Sequence, residues 1–149
     1  MLALALNPDT LALDLVLGPG GLQTDATLET VTLLSLLCDA RALADDPLPA
    51  GAGSDRRGWC GDALADVTGD RWGSRLWLLS REKQIAETLA RAQDSANQAL
   101  AWQLTDGAAV TVSVAASWRA RGWMTLAVEV TAAPGAVAGW AGTLTRAIG

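Results

Sequence analysis

The chain has no histidine, no tyrosine and no phenylalanine, and all seven aromatic residues are tryptophan. Without an imidazole there can be no Ser-His or Cys-His nucleophile pair, no histidine general base and no His-bearing metal site. Lysine is nearly absent too, since ten of the eleven basic residues are arginine, a bias that a GC-rich genome would produce. Long hydrophobic runs are missing. The longest apolar stretch, Leu33 to Cys38, is broken by Ser35 and falls far short of the ~20 residues of a membrane-spanning helix. The first residues carry no basic group, and Asp9 and Asp14 interrupt their apolar positions, so no secretory leader and synthesis in a cytoplasm are expected. The two cysteines, Cys38 and Cys60, have no CxxC spacing and are expected to be free, buried thiols rather than a disulfide. A net charge of -5 opposes general nucleic-acid binding, which needs a surplus of cations to neutralise phosphate.

What remains is a chain of 149 residues, half of them hydrophobic and 18% charged. That is the composition of one globular domain, and a domain of this size buries about 70% of the surface of its unfolded chain. Residues 10–17 place Leu11, Leu13, Leu15 and Leu17 on one side at period two, which predicts a half-buried strand. Gly18-Pro19-Gly20-Gly21 ends it as a turn, having neither a phosphate-loop ending nor dinucleotide-turn spacing. From about Ala26 to Cys38 a broad helical stripe (Leu28, Val31, Leu34, Leu37, Cys38, widened by Leu33 and Leu36) predicts a helix buried between the sheet and another layer. Leu89, Ala92, Ala96, Leu100 and Leu104 predict a second helix over 86–104, closed by Asp106-Gly107. Two alternating runs follow. Val110, Val112, Val114 and Ala116, then Met124, Leu126, Val128 and Val130, joined through Arg119–Gly122, predict an antiparallel hairpin. The Gly/Ala-rich tail 134–149, with Trp140 and Leu144, is open to three arrangements: a docked strand, a short helix or an arm that orders on a partner. The expected fold is α+β, a small, mostly antiparallel sheet with two main helices packed on one face, as a single domain over 1–149.

Residues 45–83 predict a long, ordered, irregular excursion. Asp45 to Ser54 is turn material with two prolines and two glycines. Residues 55–83 hold six of the eleven basic residues and three tryptophans, with Gly58, Gly61, Gly69 and Gly73 between them. Arg and Trp are the commonest hot-spot residues of protein interfaces, and one Trp can bury ~150–250 Å², so these rings belong either to a core or to an interface. Trp77, inside the apolar run Leu76–Leu79, is expected in the core. Trp59 and Trp72, set among Gly and Arg, are expected at an interface, with Arg56, Arg57, Asp62 and Arg75 as its polar members. Stacking of single-stranded nucleic acid on Arg and Trp is the rival use, disfavoured by 11 acidic against 5 basic residues outside 55–83. Asp62, Asp66 and Asp70 stand four apart, but Thr68-Gly69 opposes a helix there, no calcium-loop pattern opens at either of the first two, and a solvated acidic stretch is expected. Glu82 and Glu87 are the best isolated candidates for a catalytic acid, with favourable placement at a helix N-terminus as the simpler explanation.

Three stretches carry a family resemblance. Leu34 to Ala42 is similar to a Ser-Leu-Phe-Thr-Asp-Arg-Arg-Ala motif, with Cys38 replacing Thr and Ala40 the first Arg. Asp55 to Asp62 resembles Asp-Arg-Arg-Gly-Trp-Trp-Gly-Asp, with Cys60 at the second Trp. Gly73 to Lys83, then Ala99-Leu100-Ala101-Trp102 and Asp106-Gly107, resemble the Gly-Ser-Arg-Leu-Trp-Leu-Leu, Ala-Leu-x-Trp and Asp-Gly blocks. Together, from about residue 28 to 131, they resemble the small baseplate proteins of Mu-like phages, the gene product 46 family. The resemblance implies a structural, non-enzymatic part of a contractile tail, needing no cofactor or metal. It also implies kinship with the baseplate-wedge (gene product 25-like) fold, although the Glu-Pro-Arg motif of that wider group is absent here. Copies would stand in a sixfold ring in the virion baseplate, assembled in the host cytoplasm. Their partners would be other wedge subunits and the sheath protein, with the central hub or spike as a further candidate, and neither nucleic acid nor membrane. A myovirus member of the wider group was labelled an acidic lysozyme, so the alternative is a tail-associated peptidoglycan hydrolase using Glu82 or Glu87.

Overall fold

The computed structural model describes every residue except Pro8, Leu11 and Gly149. The N-terminal part is two short hairpins: β1 (Leu4–Leu6) pairs antiparallel with β2 (Leu13–Leu15), and β3 (Leu17–Gly18) with β4 (Gly21–Leu22). The predicted strand over 10–17 is thus only 13–15 and 17–18, and Leu11 lies outside the described residues. Its leucine face is covered only in part: Leu13 is partly buried. Leu15 is exposed and Leu17 is 75% exposed, because these strands form their own two-stranded ladders, apart from the main sheet. The turn at Gly18–Gly21 forms as expected.

Helix α1 (Glu29–Leu37) is shorter than its stripe. Leu28, Leu33 and Leu36 are buried, but so are Thr30, Thr32 and Ser35, while Val31, Leu34, Leu37 and Cys38 are only partly covered. The helix packs on α2 and β1 rather than between the sheet and another layer. Its buried hydroxyls are engaged there. Thr30 Oγ1 accepts from the Leu4 N–H (3.1 Å), Thr32 Oγ1 from Gln103 Nε2 (3.0 Å) and Ser35 Oγ from Trp102 Nε1 (3.1 Å). Its start is held by Asp25. Oδ1 accepts from the Thr27 N–H and hydroxyl (2.7 Å each), and Oδ2 from the Thr30 N–H (2.8 Å). Burial alone would raise the Asp25 pKa, but these bonds from Thr30 and Thr27 hold it down at about 2.

Helix α2 (Ala86–Thr105) matches its periodicity and ends at Gly107, whose φ of 71° suits glycine. Ala92, Ala96, Ala99 and Leu100 are buried; Leu104, expected on that face, is exposed. The small alanines let the helix lie close on the sheet formed by β5 (Ala109–Ala120), β6 (Trp123–Ala132) and β7 (Trp140–Ala147). The order β5-β6-β7 is antiparallel throughout, with Val114 opposite Val128 and Leu126 opposite Leu144. Met124, Leu126, Val128, Val130 and Leu144 fill the face under α2. In β5 the buried residue at the start is Ala109, not Val110, because the register is irregular between Ala109 and Thr111. Of the three arrangements open to the tail, it takes the strand. The fold is therefore a small α+β fold with a mostly antiparallel sheet.

The segment between the helices contains two 3-10 helices, Cys60–Leu64 and Arg75–Leu79. It is fastened to the end of α1 by a two-way exchange: Ser74 N–H donates to the Cys38 carbonyl (2.8 Å) and Ala40 N–H to the Ser74 carbonyl (2.9 Å), while the Ser74 hydroxyl donates to the Leu36 carbonyl (2.6 Å). Gly73 makes this approach feasible. Its φ is 100°, and a Cβ there would stand 2.6 Å from the Cys38 carbonyl oxygen. Leu76, Trp77, Leu78 and Leu79 then enter the interior. At the far end, Arg81 N–H bonds to the Ile148 carbonyl and the buried Ile148 closes the core.

Candidate partner interface

Sequence reasoning singles out Arg56, Arg57, Trp59, Asp62, Trp72 and Arg75. Folding brings them together in one segment but turns the three arginine side chains onto their own chain. The Arg56 guanidinium donates to the carbonyls of Leu43 and Ala44 (2.9 Å to Ala44), and the Arg56 carbonyl accepts from Ala42 N–H (2.9 Å). Arg57 takes the left-handed backbone conformation (φ 48°), steadied by Asp55 Oδ1 accepting from its N–H (2.8 Å). Its guanidinium reaches Asp39 Oδ2 at 2.5 Å and lies 4.5 Å from the centroid of the Trp77 ring, a cation-π contact. Trp77 is 1% exposed and donates its Nε1–H to the Ala40 carbonyl (2.8 Å), so the expected core tryptophan is indeed core.

Arg75 grips both oxygens of Asp46 (3.0 and 2.9 Å) and Gln98 Oε1 on α2 (2.5 Å). Burial would push the Asp46 carboxyl up. The Leu43 N–H and Arg75 outweigh that and hold it below the usual carboxylate range. Arg75 Nη1 serves both Asp46 oxygens and Nη2 serves Gln98, so one partly shielded guanidinium is fixed by two partners through charge-assisted bonds. Together these contacts fasten the 39–46 stretch, the second 3-10 helix and α2 to one another. None of these acceptors was visible in the sequence. Backbone carbonyls have no residue signature, and Asp39, Asp46 and Gln98 lie far along the chain from their arginines.

The other three residues form a surface. Trp59 is 49% exposed. Its ring lies over Gly61, where an added Cβ would come within 2.2 Å of ring carbons. Trp59 and Trp72 meet at 6.3 Å between centroids, tilted by 51°, and Trp72 meets Trp102 of α2 at 5.5 Å, tilted by 41°. Trp102 is the member of this row that composition and spacing missed; its only signal was its place in the Ala-Leu-x-Trp block. Asp62 Oδ1 accepts from the Trp72 N–H (3.0 Å). Its Oδ2 is shielded from solvent and has no hydrogen-bond partner among the described residues. Beside the rings runs an open groove of about 550 Å³, lined by Trp59, Asp62, Leu64, Asp66, Asp70, Arg71 and Trp72.

The remaining candidates build no catalytic or metal site among the described residues. Asp66 and Asp70 are exposed, and the 3-10 helix stops at Leu64, so the three aspartates share no helical face. Among the described residues no three His, Cys, Asp or Glu side chains gather to hold a metal ion. Both cysteines are free, but neither is buried as expected: Cys38 is partly covered at the end of α1, and Cys60 is exposed, since its 3-10 helix has no buried residue. Burial pushes the Cys38 thiol up, away from a reactive thiolate. Glu82 pairs with Arg91 at 3.1 Å, and Glu87 is exposed in the first turn of α2. Among the described residues no helix is long and apolar enough to cross a membrane.

Residues 28–137 match the model of a family described as phage protein GP46. The chain is 45% identical over 114 residues to baseplate protein gp46 of Escherichia phage Mu, covering 76% of each chain. It is 42% identical over 104 residues to the Mu-like prophage FluMu protein gp46 of Haemophilus influenzae, covering 70% of this chain and 67% of the relative. The matched span includes every residue of the groove and of the arginine contacts, and begins only after β4.

Proposed function

Because the chain belongs to the phage protein GP46 family, we propose that it is a structural component of a phage tail baseplate. In finer detail, it serves as a wedge protein of a contractile tail, a single domain over 1–149 that links larger wedge subunits to the sheath and catalyses nothing. Copies stand in a sixfold ring, with the central hub or spike as a further contact, and are assembled in the host cytoplasm before residing in the virion. One observation carries this reading: the span that matches a family with a named baseplate member contains the whole candidate interface.

The division of labour within that interface supports a mechanical role. Arg56, Arg57 and Arg75 stiffen the segment through contacts with its own chain, and Trp59, Asp62 and Trp72 meet the neighbour. A preorganised loop loses little conformational entropy on docking, so more of the contact energy appears as affinity. The Arg57 side chain, still 44% exposed, has donor capacity left for a partner at the rim. A glycoside hydrolase would need two carboxyl groups facing each other across a cleft, whereas Glu82 is held by Arg91.

Purified phage particles test the proposal. Mass spectrometry should detect the chain, labelled antibody should mark the tail tip, and a deletion should yield no infectious particles. Normal infectivity without the gene would overturn it. Purified protein is expected to leave cell walls intact; clearing that Glu82→Gln or Glu87→Gln abolishes would establish the hydrolase instead.

A further inference from the structure

We infer that the groove beside Trp59 and Trp72 receives an arginine side chain from a neighbouring baseplate subunit, stacked on the indoles and hydrogen-bonded to Asp62. The inference rests on the baseplate reading and deepens it by naming the chemistry of the contact. Three observations point the same way. The groove is lined by three carboxylates, of Asp62, Asp66 and Asp70, against the single cation Arg71, so its field favours a positive group. Its walls are the Trp59 and Trp72 rings, whose negative faces attract a cation and stack best on a planar guanidinium. Asp62, one of its lining residues, carries an oxygen, Oδ2, that is shielded from solvent and has no donor among the described residues, an unmet acceptor that an incoming N–H would satisfy.

Arginine fits better than lysine because its weakly hydrated, flat head can cover an indole while donating sideways to a carboxylate. Reaching Oδ2 requires a small shift of the side chains that shield it. The rim indicates the flanks of the incoming segment. Leu64 is 85% exposed in the groove lining, next to Ala65, so the arginine is flanked by apolar residues. Phosphate-bearing partners are repelled by the same three carboxylates.

The test uses assembled particles. A benzoylphenylalanine photo-cross-linker replaces the exposed Leu64, and mass spectrometry identifies the peptide joined to it. The expected product is a segment of a different baseplate protein with an arginine within about four residues of the cross-link, the reach of a short extended segment. A parallel variant, Asp62→Asn, keeps an acceptor for the Trp72 N–H but removes the charge. Its incorporation in competition with the unsubstituted chain should fall about tenfold, as for a buried charge-assisted contact, with the unfolding midpoint unchanged. A cross-linked segment without arginine, a second copy of this chain, nucleic acid, or no cross-link in particles that contain the chain would overturn the inference. So would Asp62→Asn incorporating normally. Absence of the unsubstituted chain from particles would instead reject the baseplate reading itself.

Discussion

The two 3-10 helices of the central segment are each five residues long and have opposite fates. In Arg75–Leu79 four consecutive side chains are buried; in Cys60–Leu64 none is. Local conformation therefore does not decide what such a turn does. The difference lies in the attachment on either side. The second helix follows Gly73 and Ser74, which bind the end of α1, and begins with Arg75, which binds Asp46 and Gln98. The first is held mainly through its own neighbours, with Trp59 folded over Gly61 and Asp62 accepting from Trp72. One half of the segment is an anchor and the other is a presented face.

The strongest way to break this comparison is to remove the anchor. Trp77→Ala deletes the largest fully buried side chain together with the surface under Arg57. It should cost about 3–5 kcal/mol, as other buried aromatic truncations do. Urea unfolding checks this; a loss under 1 kcal/mol would show that the second helix is not the anchor. Gly73→Ala should come next, at roughly 2 kcal/mol or more, because a Cβ at positive φ would press on the Cys38 carbonyl and the Ala40 N–H. The same measurement, with Gly69→Ala on the presented side as a control whose Cβ meets nothing, separates the close approach from the backbone strain common to both sites.

Acid titration sharpens the contrast by a smaller effect. Asp25 at the start of α1 has its pKa held at about 2, and Asp46 beneath Arg75 is also held low. A depressed carboxyl contributes stability that is fully present above the ordinary aspartate pKa near 4. That stability is lost as pH falls through the folded value. Between about pH 4 and 2, Asp25 should account for about 1–2 kcal/mol after allowance for solvent screening. Asp25→Asn and Asp46→Asn should each flatten the dependence of the unfolding midpoint on pH in that window. An unchanged slope in Asp46→Asn would remove the electrostatic part of the anchor, and one in Asp25→Asn would remove the carboxylate's hold on the start of α1.

How much of this was legible in the sequence follows from the reach of each signal. Helix α2 and the β5–β6 hairpin were readable because their periodicity is local and each buries a single face. The assignment of Trp77 to core and Trp59 to surface was readable too, since one lies in an apolar run and the other among glycine and arginine. The N-terminal leucines misled. Period two reports a strand, not how far it is covered, and Leu15 and Leu17 stay exposed. The polar side of α1 was unreadable because Thr32 and Ser35 become core residues only through Gln103 and Trp102, far along the chain. The arginines suggested an interface by type, but which atoms they bind depends on carbonyls placed by the tertiary fold.

Trp59→Ala tests the presented half, where stability and assembly should separate. The ring is half-exposed, and its contacts are with Gly61 and Trp72 rather than the main core, so truncation should cost about 1 kcal/mol or less. The acid slope set by Asp25 and Asp46 should persist, because neither carboxylate depends on this ring for a hydrogen bond. Incorporation into baseplates should nonetheless fail, since an exposed Trp at the mouth of a groove is the type of residue that dominates interface energetics. Circular dichroism and urea unfolding of the variant, beside its quantity in purified particles, give the two readouts. A large loss of stability would make Trp59 a second anchor and erase the distinction between the two helices. Normal stability with normal incorporation would leave the distinction in place and move the docking surface away from this groove.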